Sequence, residues 1–312
     1  MSRVVCLGEA LVDFVSEQRV GDVTDARSFA PSFGGSQANV AVGAARLAAP
    51  AALAGCAGTD AWGRWLRGRL ADEGVDVSLY SLRDDVETTI AFVALAPDGE
   101  PTFTIYGGTG DGMLAECEGQ LREIVADGPA GVLAFGSDTL IAPGDRKAVR
   151  ELVAAGAARG WRVLFDPNLR EGRWTDRGEM LSVAIEAVAG TTVVKANRSE
   201  AALMTDIEEP EAAARALIAH GARQALVTLG AEGALLADAG RIARFEAERV
   251  ELADATGAGD AVAAVAAAAL TRRPLLTPAD VAVAMGVAGA VVSARGALTG
   301  FPARSEAGAL LA

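Results

Sequence analysis

Residues 254–260, DATGAGD, bring together the groups that a reaction on a phosphate would need. Gly257, Ala258 and Gly259 carry little or no side chain and stand where the apolar helix AVAAVAAAAL of 261–270 begins, so successive backbone N–H groups can face an anion there. Asp260 falls in the first turn of that helix. It is placed beside the cradle to take a proton from a hydroxyl that attacks a bound phosphoryl group. A plainer account is also open: an acid favoured by the positive end of a helix dipole after a glycine-rich turn. The scarce residues narrow the chemistry. His220 is the only histidine and lies in the helical context ARALIAHGARQ, where an imidazolium suits a helix C-terminus; His-rich metal sites and a His-dependent hydrolase are disfavoured. Lys147 and Lys195 are the only lysines, and neither follows glycine in a GxxxxGK arrangement, so no P-loop is present. Cys6, Cys56 and Cys117 are odd in number and lack close spacing, and read as reduced thiols in a core.

Such a cradle has to be held by a framework. Short apolar runs, VVCLGEA at the start, GVLAFGS at 131–137, WRVLFDPN at 161–168, TTVVKAN at 191–197 and ALVTLG at 225–230, alternate with Ala-rich helical segments such as 39–48 and 146–160. That order predicts an α/β fold with a central, mostly parallel sheet flanked by helices. Gly160 and Gly221 are expected helix stops. Two segments, 12–33 and 87–106, break the alternation, and the second is patterned about a PDGE turn like a hairpin. Both are read as strands of a small lid, with a place at the edge of the main sheet as the alternative. No linker or repeat divides the chain, so residues 1–312 are expected to form a single domain with this lid.

With 312 residues, 51% hydrophobic and 22% charged, the chain can bury a sizeable core. A net charge of −13 disfavours a nucleic-acid partner, which would require clustered Lys and Arg. The opening MSRVVCLGEALVDF has no signal-peptide pattern and the apolar run at 261–270 is too short to span a bilayer, so a cytoplasmic protein with no membrane partner is expected.

The DATGAGD run resembles the DTxGAGD signature of the ribokinase-like, or PfkB-type, carbohydrate and nucleoside kinases. Other stretches follow that family's order: GEALVDF at 8–14, GGSQANVAVGAARLA at 34–48, GTDAWG at 58–63, FDPNLREGRW at 165–174, KANRSE at 195–200 and VTLGAEGAL at 227–235. The resemblance covers essentially the whole chain and implies a ribokinase-like fold. It also implies Asp260 as catalytic base, with the amides of Gly257, Ala258 and Gly259 as the anion hole. Asn197 and Glu200 would help hold Mg²⁺ and the ATP phosphates, largely through water, although an Asn with Glu three residues on is also a helix capping box. Thr228 and Gly230 would lie near the nucleotide. Asp13, Gly34, Gly35 and Asn39 match positions that bind sugar hydroxyls, and Arg170 either points to the ligand or pairs with an acid near the sheet edge. Asp254 is a candidate ligand for a monovalent cation such as K⁺, but Gly300 lacks the hydroxyl some members supply there.

Three segments, GEALVDFV, TTIAFVALAPDGE and DPNLREGRW, resemble bacterial fructokinases more than ribokinases. The implied reaction is ATP-dependent phosphorylation of fructose or a related hexose. Inosine, adenosine or ketodeoxygluconate as acceptor, and a non-catalytic sugar sensor, are the alternatives. A nucleoside would want a flat apolar platform, for which Phe14, Phe92 and Phe103 are material unless they are lid core. Tyr106 is followed by GGTGD where many fructokinases and ketodeoxygluconate kinases carry an arginine, a departure that weakens the case for an acidic sugar. A nicotinamide dehydrogenase is disfavoured, because the first strand leads into GEALVDF rather than GxGxxG. The resemblance further implies closure of the lid over the acceptor and pairing into a homodimer through its exposed edges.

Overall fold

Runs such as VVCL and VLAF are apolar without alternation, which suits strands covered by helices on both faces. The computed structural model describes residues 2–96, 101–108 and 112–303. The chain opens with β1 (Val4–Leu7), then β2 (Leu11–Arg19), β3 (Phe29–Gly34), helix α1 (Ser36–Arg46) and β4 (Ala51–Gly58). Helix α2 (Ala61–Asp72), β5 (Tyr80–Arg83), β6 (Glu87–Leu95), β7 (Pro101–Gly108), α3 (Glu118–Asp127) and β8 (Val132–Phe135) follow. Next come α4 (Pro143–Ala158), β9 (Arg162–Phe165), α5 (Arg177–Ala187), β10 (Val193–Asn197), α6 (Arg198–Thr205) and α7 (Pro210–Ala219). The last elements are β11 (Gln224–Thr228), β12 (Ala234–Ala237), β13 (Ile242–Phe245), α8 (Ala258–Leu270) and α9 (Pro278–Val292).

Nine strands form the main sheet in the order β13-β12-β11-β10-β9-β8-β1-β4-β5. It is parallel from β5 to β11, and β12 and β13 add an antiparallel edge that the sequence pattern did not announce. The α/β expectation is met. Helix α8 is buried all round from Ala261 to Leu270, which explains its nearly pure Ala and Val composition. Small residues let it lie close to α1: a Cβ on Gly43 would come within 2.6 Å of the Ala264 Cβ. The helix that carries the cradle is thus wedged in the core. Among the described residues, no helix is long and apolar enough to cross a membrane.

The two departing segments meet in a separate four-stranded sheet, β3-β2-β6-β7, rather than at an edge of the main one. Strands β6 and β7 pair antiparallel as a hairpin requires; its PDGE turn lies outside the described residues, as do residues 109–111 of GGTGD. Partnered residues share a face. Asp13 aligns with Ala91 and Ile105, and Val93 with Phe103, so these side chains stand on one face of the lid. Phe14 and Phe92 stand on the other. They stack at 5.4 Å, and Phe29, Tyr106 and Trp62 of α2 complete that aromatic cluster. Phe14 and Phe92 are therefore lid core and not a platform for a ligand, whereas Phe103 is free of that cluster.

The GTDAWG run is explained by its anchoring of this sheet. Asp60 Oδ1 accepts the N–H groups of Trp62 and Gly63 and so caps α2, while Oδ2 accepts the Thr88 N–H of β6 at 3.1 Å. A Cβ on Gly63 would fall 1.9 Å from the Gly58 carbonyl oxygen, so the first turn of α2 can press on the end of β4 only as glycine.

Candidate active site

Two helix N-termini converge at the carboxyl end of the parallel strands, the ordinary place for a ligand in such a sheet. Helix α8 starts after Gly257, which has φ 82°, and a Cβ there would lie 2.5 Å from Ala297. Both the conformation and the space demand glycine. The first N–H groups of a helix have no intrahelical acceptors, so this end is a ready anion site. The Ala258 N–H is the partly engaged one, turned toward the Ala255 carbonyl at 3.4 Å. Asp254 holds the loop in place: its carboxylate accepts the Thr256 N–H and the Gly296 N–H, each at 2.9 Å.

Helix α1 begins after Gly35, where φ is 102° and a Cβ would lie 2.6 Å from the Glu9 carbonyl oxygen. Its first turn presents Ser36 and Asn39 to Asp260. The Ser36 hydroxyl donates to Oδ1 at 2.7 Å and the Asn39 amide to Oδ2 at 2.8 Å. Asp260 is thereby oriented from both oxygens, between the anion cradle and the lid. Asn39 keeps a buried Oδ1 without a partner, an acceptor available to a ligand hydroxyl. Ser36 was missed as a site residue. Its spacing of three from Asn39 at a helix start was the signal that could have found it.

On the lid side Asp13 is buried. Loss of water raises its carboxyl to about 7, with the charge of Asp260 adding to the rise and Arg170 opposing it. A Cβ on Gly34 would lie 2.1 Å from Asp13 Oδ2, so this glycine makes the room in which the carboxylate sits. Arg170 is brought to the cleft: its guanidinium lies over the Phe103 ring at 5.4 Å. Deeper in, Glu9 is pushed to about 8 by burial and by Asp138, against Arg173. Arg173 lies 3.8 Å from Glu9 and donates to the Gly107 carbonyl at 3.2 Å, joining the lid to the body. Neither Glu9 nor Arg173 stood out in the sequence.

Asn197 and Glu200 form the capping box in full. The Asn197 side chain accepts the Glu200 N–H, and Glu200 Oε2 accepts the Asn197 N–H at 2.8 Å. Glu200 Oε1 accepts the Leu169 N–H at 3.0 Å, which ties down the DPNLR run just after it turns at Asn168, φ 43°. Thr228 ends β11, and Gly230 has φ 63° with open space where a Cβ would be, so conformation rather than crowding explains that glycine. Between these parts lies a pair that sequence reading passed over. Lys195 of β10 donates to both oxygens of the buried Asp166, at 2.9 and 3.1 Å. Burial works against its charge, but the carboxylates of Asp166, Glu200 and Asp260 outweigh that and hold the ammonium above its ordinary pKa. Among the described residues no group of three or more His, Cys, Asp and Glu is arranged to hold a metal ion.

A sequence model described as pfkB family carbohydrate kinase matches residues 1–304. Aminoimidazole riboside kinase of Salmonella typhimurium is 32% identical over 312 residues, covering 97% of this chain and 92% of its own. Fructokinase-1 of Oryza sativa subsp. japonica is 33% identical over 279 residues, covering 89% and 84%. The crystal structure of a fructokinase from Vibrio cholerae, bound to fructose, ADP and calcium ion, is 28% identical with a TM-score of 0.84, covering 100% of this chain and 99% of that one. The family match spans the cradle segment, the lid and the strands between them, and the chain belongs to the pfkB family of carbohydrate kinases, which phosphorylate sugars and nucleosides.

Proposed function

We propose that the protein transfers the terminal phosphoryl group of ATP to a hydroxyl of a small sugar, with fructose or a related hexose as the leading acceptor. The observation that carries this reading is the setting of Asp260, next to the α8 cradle and oriented by Ser36 and Asn39. The acceptor hydroxyl gives its proton to Asp260 as its oxygen bonds to phosphorus and the bond to ADP breaks. Amides of Gly257, Ala258 and Gly259 take the negative charge that develops on the transferred group. Asp13, Gly34, Gly35, Asn39 and Arg170 hold the acceptor, and Thr228 and Gly230 border the nucleotide.

Magnesium, carried in with the nucleotide, would supply neutralisation of the phosphates. Asn197 and Glu200 fit a role in holding it through water, since each Glu200 oxygen accepts one backbone N–H and retains a lone pair. Asp254 fits a monovalent cation on the same ground, each oxygen having one amide and one remaining lone pair. A homodimer would form through the lid, whose outer strands β3 and β7 each have one open edge in the sheet order.

A second acceptor class has one observation in its favour. Phe103 and the Arg170 guanidinium form a flat surface on the Asp13 face of the lid, which suits the planar base of a riboside better than it suits a hexose. The test is a coupled ADP-release assay with ATP and Mg²⁺ against fructose, aminoimidazole riboside, ribose, ketodeoxygluconate, inosine and adenosine, run beside Asp260→Asn. Turnover on fructose that vanishes in the variant supports the leading reading. Turnover confined to a riboside moves the assignment to the second. No turnover on any acceptor removes the catalytic reading in favour of a sugar sensor.

A further inference from the structure

The pair formed by Lys195 and Asp166 has no part in the reaction as described above, yet it lies against the cradle. Lys195 is 5% exposed and Asp166 is 2% exposed, and a Cβ on Gly259 would come within 2.8 Å of the Lys195 Nζ. Only the absence of a side chain at Gly259 lets the ammonium approach the backbone that faces the anion. A buried ion pair is a poor way to stabilise a core, because taking both charges out of water costs as much as their attraction returns. The surroundings supply a different reason for it. Asp166 accepts from the ammonium directly, and Glu200 and Asp260 are near enough to act on its charge, so beside the cradle one lysine faces three carboxylates. In a site walled off from water, unscreened carboxylates would repel a phosphate strongly.

We propose that Lys195 is the fixed positive charge of the phosphate end. Asp166 holds its ammonium behind Gly259, where it offsets the neighbouring carboxylates and draws the terminal phosphate of the nucleotide into the cradle. Lys195 is a positioning residue in this scheme, acting through the backbone and not by contact with the acceptor. The inference rests on reading the cleft as a phosphoryl-transfer site.

The decisive comparison uses Lys195→Met and the double variant Asp166→Asn/Lys195→Met, which removes both charges at nearly constant volume and keeps the fold testable if the single change is too disruptive. Calorimetric titration gives the affinities for a non-hydrolysable ATP analogue and for ADP, and steady-state assays give kcat and the acceptor KM. The double variant should keep its Tm within about 3 °C of the parent. It should lose about tenfold or more in affinity for the analogue but less than about threefold for ADP, with kcat down about 100-fold and acceptor KM little changed. A double variant that keeps both the analogue-to-ADP affinity ratio and kcat overturns the proposal and leaves the pair a structural link between β9 and β10. If the parent turns over no acceptor, the reading of the reaction fails, while the affinity ratio still decides the role of Lys195. A parent that binds neither nucleotide overturns both.

Discussion

In the proposed reaction the backbone would hold the phosphate at one end of the site, and side chains would hold the acceptor at the other. The cradle is made of amides fixed by Gly257 and Gly259, on a helix buried from Ala261 to Leu270. The proposed acceptor end has the side chains of Asp13, Asn39 and Arg170, borne by the four-stranded lid and the segments facing it, with Glu9 and Arg173 joining lid to body behind them. Charge that develops during transfer is met best by dipoles that need no reorganisation. An acceptor has to be admitted, recognised and released, and that suits a lid whose carboxylates sit desolvated until a ligand answers them. The difference teaches that rigidity and strain are placed at opposite ends of one site.

The sharpest break in that comparison is Asp260→Asn, which keeps the contacts to Ser36 and Asn39 in shape but removes the base. We expect kcat to fall by about a thousandfold or more while nucleotide affinity stays within about threefold, as read by turnover and calorimetry. Next in size is Gly257→Ala against Gly34→Ala. The first collides with Ala297 at a left-handed position and should lower kcat about 100-fold together with Tm; the second collides with Asp13 and should raise acceptor KM about tenfold with nucleotide KM spared. Equal effects of the two on kcat would dissolve the distinction between the ends.

Asp13→Asn probes the strain directly. The Asp13 carboxyl sits near 7 in the fold against an ordinary value of 3.8, so the fold retains a proton there that the unfolded chain loses. The stability this lends is complete below about pH 4 and is lost as pH rises through about 7. Asparagine is free of that loss. The variant should bind the acceptor more weakly yet gain Tm over the parent by a few degrees at about pH 8, and by less at about pH 5, in paired thermal melts. A gain that does not grow with pH would mean that Asp13 bears no strain. The smallest effect is expected from Phe103→Ala, a rise of roughly three- to tenfold in KM for a riboside with fructose nearly unmoved.

Much of this was legible in the chain because it is local. Glycine at 257 and an acid at 260 before an apolar helix describe a helix start, and neither needs a distant partner to be recognised. The same locality made Asn197 and Glu200 readable both as a capping box and as a nucleotide element, and the box is formed. Alternation along 87–106 announced strands, yet a period of two says only that neighbours face apart. It does not say which face meets a cleft, so Phe14, Phe92 and Phe103 could not be separated until β6 was paired with β2 and β7.

By itself the sequence determined the α/β alternation and the glycine-rich helix start with an acid in its first turn, since each depends on residues a turn or a strand apart. Only the tertiary structure decided that Ser36 meets Asp260 across 224 positions, that Lys195 pairs with Asp166 beneath Gly259, and that Arg170 lies against Phe103 of the lid. Those partners are chosen by how helices and strands pack, and side chains distant in the chain carry no local mark of the neighbour that packing will give them.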